Sequence, residues 1–240
     1  MPLPDDDVQR VLCVAAHPDD LDFGAAGTIA TFTEAGLEVT YLLCTFGDQG
    51  GFDDTPRELV PGIREREQRA AAKAVGVEDV RFLEGFSDGW LEPTFDLQRA
   101  IVRVIRQVRP QRMLVQSPER WWDRIQASHP DHLAAGEASI RAVYPAARNP
   151  FAFPELLADE GLEPWVVPEV WLMADPASAH AVDVTATFDR KVAALRAHES
   201  QTAHMADLED MLRAWGRRVA DANGMPDGVL AEAFRVVSTA

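Results

Sequence analysis

Residues 11–24 read VLCVAAHPDDLDFG, and the change of character inside them decides the fold. Val11 to Ala16 are apolar and uncharged, which suits a strand covered on both faces of a parallel sheet. His17, Pro18, Asp19 and Asp20 follow at once, and small residues from Gly24 to Gly27 open the next segment. A buried strand that ends in a histidine and two carboxylates delivers them to the carboxyl edge of the sheet, where open α/β folds bind their ligands. A helix N-cap accounts for one aspartate. It does not account for two and a histidine, so the loop reads as chemistry.

Outward from this loop the chain alternates. Residues 24–35 read as a helix stopped by Gly36, and LEVTYLLCT at 37–45 as a second strand. A Gly- and Asp-rich loop spans 46–62, long enough to be functional. A helix at 63–75, a strand at 77–83, a helix at 95–108 and a strand at 112–116 follow. A polar loop at 117–128 carries Trp121 and Trp122, and 131–143 reads as a helix. Five prolines between Tyr144 and Pro168 predict irregular chain. Short edge strands are expected at 169–173 and 181–184, and helices at 188–198 and 206–220. The expectation is one domain over 1–240 in the α/β class: a Rossmann-like three-layer α/β/α core at 9–145 with a mainly parallel sheet. A proline-rich wrap, edge strands and C-terminal helices make up 146–240.

The chain carries 39 acidic and 23 basic residues, a net charge of −16. That field repels nucleic acid and anionic membrane surfaces and favours a small neutral or basic substrate. No apolar run is long enough to span a bilayer. The acidic start, MPLPDDDVQR, has no apolar h-region. Cys13 and Cys44 lie in strand-like apolar runs and read as reduced core residues. A cytoplasmic protein is expected.

A second dense motif, HPDH at 129–132, opens a helix after the loop at 117–128. His129 and His132 are three apart, so one helical turn places both on one side. Two histidines opposite a His-carboxylate loop point to a metal site. A catalytic zinc needs three N or O ligands and one open position. His17, one aspartate of the first loop and one histidine of the second would supply them. Which of Asp19 and Asp20 binds metal is not decided by spacing.

AHPDD after a first strand, a Gly-rich helix start and HPDH about a hundred residues later resemble the LmbE-like, or PIG-L-type, zinc-dependent de-N-acetylases. The resemblance covers at least 9–145. It implies hydrolysis of the N-acetyl group of a small N-acetylglucosamine-type substrate, releasing acetate and a free amine. It implies one Zn2+ held by His17, Asp20 and His132, with Asp19 as general base on a zinc-bound water. It makes His129 the residue that stabilises the oxyanion and protonates the amine. IREREQRAAAKAVG resembles the family's Arg-to-Gly helix, so Arg64 matches its sugar-binding arginine, and Asp88 in SDGWL matches a sugar-contacting acid. Many members read AHPDDE, whereas here Leu21 follows and Asp22 comes one later.

The same mechanism would serve an amidase acting on a thiol conjugate. A dinucleotide-binding domain is disfavoured because the first strand runs into His-Pro-Asp-Asp, and not into G-x-G-x-x-G. A non-catalytic carbohydrate-binding protein or closed structural zinc fits less well, because a histidine and an aspartate remain beyond three ligands. Trp121 and Trp122 suit a sugar platform or a packed pair equally. A homo-oligomer is left open.

Overall fold

In a computed structural model, residues 2–51 and 54–239 are described. Phe52 and Asp53, in the middle of the expected loop at 46–62, lie outside the described residues. A seven-stranded sheet runs through the molecule in the order β3-β2-β1-β4-β5-β7-β6. Its strands are β1 (Arg10–Ala15), β2 (Glu38–Leu43), β3 (Asp79–Phe82), β4 (Arg112–Gln116), β5 (Glu169–Met173), β6 (His180–Asp183) and β7 (Ala231–Ser238). The first five are parallel to one another, and β7 runs antiparallel between β5 and β6.

The helices are α1 (Asp20–Glu34), α2 (Val60–Ala74), α3 (Phe95–Val108), α4 (Pro130–Arg141), α5 (Pro154–Ala158), α6 (Phe188–Arg196), α7 (Glu199–Thr202) and α8 (Leu208–Ala222). They lie on both faces, and period-two alternation along β1 shows why. Leu12 and Val14 enter one apolar core with Leu97, Ile101 and Ile105 of α3 and Ala134 and Ala138 of α4. Val11, Cys13 and Ala15 enter the opposite core with Leu21, Ala25 and Ile29 of α1 and Ala71 of α2. Both faces being covered there, β1 is apolar from Val11 to Ala15. A smaller third cluster, with Val184, Phe188, Leu208 and Leu212, seals α8 onto α6 and the end of the sheet. Gly27 lets α1 approach that end, since a Cβ there would sit 2.7 Å from the Val184 Cβ.

Three expectations need correction. β5, read as an edge strand, is fully buried between β4 and β7. β7 was not foreseen at all, and β6 alone among those two short strands lies at the edge. α1 begins at Asp20, four residues earlier than its glycines suggested, so the second aspartate of the motif is already helical. Cys13 and Cys44 are buried free thiols, and burial pushes both thiol pKa values up. Among the described residues no helix is long and apolar enough to cross a membrane.

Candidate active site

β1 and β4 are parallel neighbours, and the strand order reverses between them. Loops leaving their carboxyl ends therefore diverge and open a crevice. The two motifs meet there. The Ala16 amide donates to the Gln116 side chain across the crevice floor at 2.9 Å, which aligns the two strand ends. α4 packs onto the end of β4 through Gly136, where a Cβ would come within 2.4 Å of the Gln116 carbonyl.

His17 is the hub. Its Nδ1 lies 3.3 Å from one oxygen of Asp20, while the other Asp20 oxygen is 3.0 Å from Nε2 of His132. On the far side, His17 Nε2 lies 3.0 Å from Asp88 and 3.1 Å from Asp131. One ring nitrogen from each of His17, His129 and His132 lies within 4.8 Å of the other two. Burial disfavours charge on His17, but Asp20 first and then Asp131 and Asp88 outweigh it, pushing its pKa up to about 12. Burial also opposes charge on His132, and Asp20 raises its pKa. Against the burial that would raise Asp20, the same two histidines hold its carboxyl well below the usual range.

His129 differs. Its Nδ1 accepts the Asp131 backbone amide at 3.2 Å, capping α4. The ring proton of the neutral form therefore sits on Nε2. Burial, then His17 and His132, lower its pKa, so the neutral donor form is favoured at neutral pH.

Asp19 stands at the N-cap of α1 with φ at +81°, a conformation a non-glycine residue adopts only when its surroundings impose it. Its amide donates to the Gln68 Oε1 at 2.8 Å, and Gln68 in turn donates to Asp22 at 2.8 Å. Asp22 is fully buried and meets His198 Nε2 at 2.8 Å. Arg64, also buried, donates from Nη2 to Asp19 and to the Pro18 carbonyl, and from Nη1 to the Gly47 carbonyl. Burial raises the Asp19 carboxyl, Arg64 pulls it down, Asp20 pushes it up, and it comes to about 6.

The donor set suits a divalent ion. Two imidazole nitrogens and a carboxylate face one another, and His17 presents its second nitrogen to carboxylates, the arrangement that orients a ligating histidine.

A model of the family described as PIG-L, GlcNAc-PI de-N-acetylase, matches residues 12–143. The chain belongs to the PIG-L family. It is 36% identical over 214 residues to diacetylchitobiose deacetylase from Thermococcus kodakarensis, covering 88% of this chain and 75% of the relative. It is 34% identical over 212 residues to a probable N-acetyl-alpha-D-glucosaminyl L-malate deacetylase 2 from Bacillus cereus, covering 84% and 87%. The solved structure of N,N'-diacetylchitobiose deacetylase from Pyrococcus horikoshii aligns with a TM-score of 0.86 at 28% identity, covering 98% of this chain and 86% of that one. This PIG-L chain is a hydrolytic deacetylase of a metal-dependent family.

Of the expected site residues, His17, Asp20 and His132 come together, with Asp19 and His129 beside them. Arg64 and Asp88 join the cluster, but through Asp19 and His17. Asp131 was missed, although it sits inside the HPDH motif. Gln68, Asp22 and His198 were missed too. Asp22 and His198 are 176 residues apart, and no local pattern signals such a pair. Trp122 is 78% exposed and Trp121 half-buried. Trp90, 80% exposed and next to the Gly89 that bonds Asp131, adds an aromatic not foreseen.

Proposed function

We propose that the protein removes the N-acetyl group from a small N-acetylglucosamine-type substrate, with one zinc ion held by His17, Asp20 and His132. The convergence of the His17 and His132 imidazoles on the two oxygens of Asp20 carries the reading. The relatives named for diacetylchitobiose and for an N-acetylglucosaminyl malate support the sugar class. Zinc, when bound there, would supply a Lewis acid for the acetamide carbonyl and for a water molecule.

The protein supplies the rest. Asp19, brought to about 6 by burial against Arg64, is ionised at neutral pH and accepts the proton of the attacking water. His129 directs Nε2–H toward the developing oxyanion, because Nδ1 is already engaged. Asp131 and Asp88 hold the His17 ring from behind. Arg64, the candidate for a sugar hydroxyl, keeps two N–H donors beyond these bonds, one on Nη1 and one on Nε, and the Nε is buried without a partner among the described residues. Acetate and a free amine leave. The acidic surface favours a small substrate met in solution, in the cytoplasm, over nucleic acid or an anionic membrane. Metal analysis together with acetate release across a panel of N-acetylated sugars tests the reading. Zinc-replete protein that cleaves only an unrelated amide or ester would refute it.

A further inference from the structure

Next to the catalytic crevice, but outside it, lies a mostly apolar cavity of about 110 Å3. Phe23 and Gly24, from the first turn of α1, form one wall, and Leu212, Trp215 and Val219 of α8 form another. Its rim carries Trp121 and Arg124 from the loop that leads into His129.

The charges around this cavity do not balance. Lys191 and Glu232 pair with each other. Glu232 also accepts the amides of Gly27 and Thr28, and Lys191 donates to the Phe23 carbonyl. That carboxylate is therefore neutralised and fully bonded. Arg124 is the third charged residue of the lining; its backbone amide donates to the Trp121 carbonyl, but its guanidinium makes no hydrogen bond or ion pair with any described residue. Its guanidinium lies 4.5 Å from the Trp215 ring and 5.8 Å from the Trp121 ring. The charge acting on it is another cation, Arg218 of α8, which likewise has no ion pair among the described residues. Burial and Arg218 push the Arg124 pKa down. A lining arginine whose guanidinium faces another cation and no carboxylate is conspicuous in a chain of net charge −16.

We propose that this cavity is a second binding site, for a small carboxylic acid whose carboxylate pairs with Arg124 and whose apolar body enters between α1 and α8. A guanidinium clamped against aromatic rings presents a fixed fork that matches a carboxylate. An apolar cavity of roughly 150 Å3 takes benzene, so this one suits a body of about four or five carbons. The acid is either a free metabolite or a carboxylated aglycone of the substrate, because the loop at the rim continues into the active site. The binding itself does not depend on the deacetylase reading.

Calorimetry on the wild-type protein with pentanoate, pentanol and pentylamine tests it without turnover. Pentanoate should bind, pentanol about tenfold or more weakly for want of the charged hydrogen bonds, and pentylamine not at all. Arg124→Met should abolish the preference for the acid, and Ala233→Leu, which fills the cavity, should weaken acid and alcohol alike. Equal affinity for acid and alcohol, no binding of either, or undiminished pentanoate binding by Arg124→Met overturns the proposal. Carboxybutyl and butyl glycosides of N-acetylglucosamine separate the sources. A lower KM for the carboxybutyl glycoside, lost in Arg124→Met, assigns the aglycone. Equal KM values beside clear pentanoate binding assign a free acid.

Discussion

Arg64 donates from Nη2 to Asp19 at 3.0 Å and from the same nitrogen to the Pro18 carbonyl at 2.6 Å. One guanidinium thus holds both the charge and the backbone of the proposed base. Arg64→Ala removes the group that lowers the Asp19 carboxyl, so burial and Asp20 raise it further. A base must be ionised to act, so the acid limb of the pH–rate profile should move to higher pH while bound metal stays at one equivalent. An acid limb unchanged in Arg64→Ala would break the link between the two residues.

Metal retention should follow the geometry. His17→Ala removes the hub and should leave folded protein without a stoichiometric ion, read by metal analysis alongside circular dichroism. In the wild type, the imidazoles that face Asp20 carry raised pKa values and must lose protons to ligate. Metal uptake should therefore release protons and weaken as pH falls. A full equivalent retained by His17→Ala would exclude this ligand set.

The two roles beside the metal separate by turnover. Asp19→Asn should keep zinc and lose about a hundred- to ten-thousandfold in kcat, the usual worth of a positioned base. His129→Ala should lose turnover with the ion retained. If Asp19→Asn loses metal while Asp20→Asn keeps it, the two carboxylates must exchange roles.

The buried Asp22–His198 pair should show in stability. Asp22→Ala strands His198 and Gln68 without their acceptor, and should cost about 3 kcal/mol or more in urea unfolding. Asp22 raises the His198 pKa against the effect of burial. The pair's contribution is thus fully present below the ordinary histidine value of 6.5 and is lost as pH rises through the folded value. The stability gap between wild type and His198→Ala should narrow as pH rises from about 5.5 to about 8, through and above the ordinary histidine value. A gap that widens instead would show that His198 is neutral in the folded protein.

The two motif loops were legible because local pattern and topology agree there. A buried strand must end at the sheet edge, and Val11–Ala16 can be nothing but buried. β7 escaped because its sequence, AEAFRVVS, places a glutamate and an arginine among its apolar residues, and the reason for Glu232 lies across space, at Lys191 and the Gly27 amide. β5 was read as an edge strand because the partner that buries it, β7, had not been seen. Arg64 was placed at a sugar by resemblance, and only the fold shows two of its nitrogens already bonded to backbone carbonyls and Asp19. The support beneath Asp19 runs through residues on α1, on α2 and between α6 and α7, a juxtaposition no window of sequence displays.

The position of β7 has a consequence for biosynthesis. It lies between β5 and β6, yet the ribosome makes it after both, and after α6, α7 and α8. Until it emerges, β6 has no neighbour in the sheet, β5 exposes its inner flank, and Gly27 and Thr28 on the helix that bears Asp20 lack their acceptor. The sheet therefore cannot close between β5 and β6 until the last strand is made, and the helix that follows the His-Pro-Asp-Asp loop gains its acceptor only with Glu232.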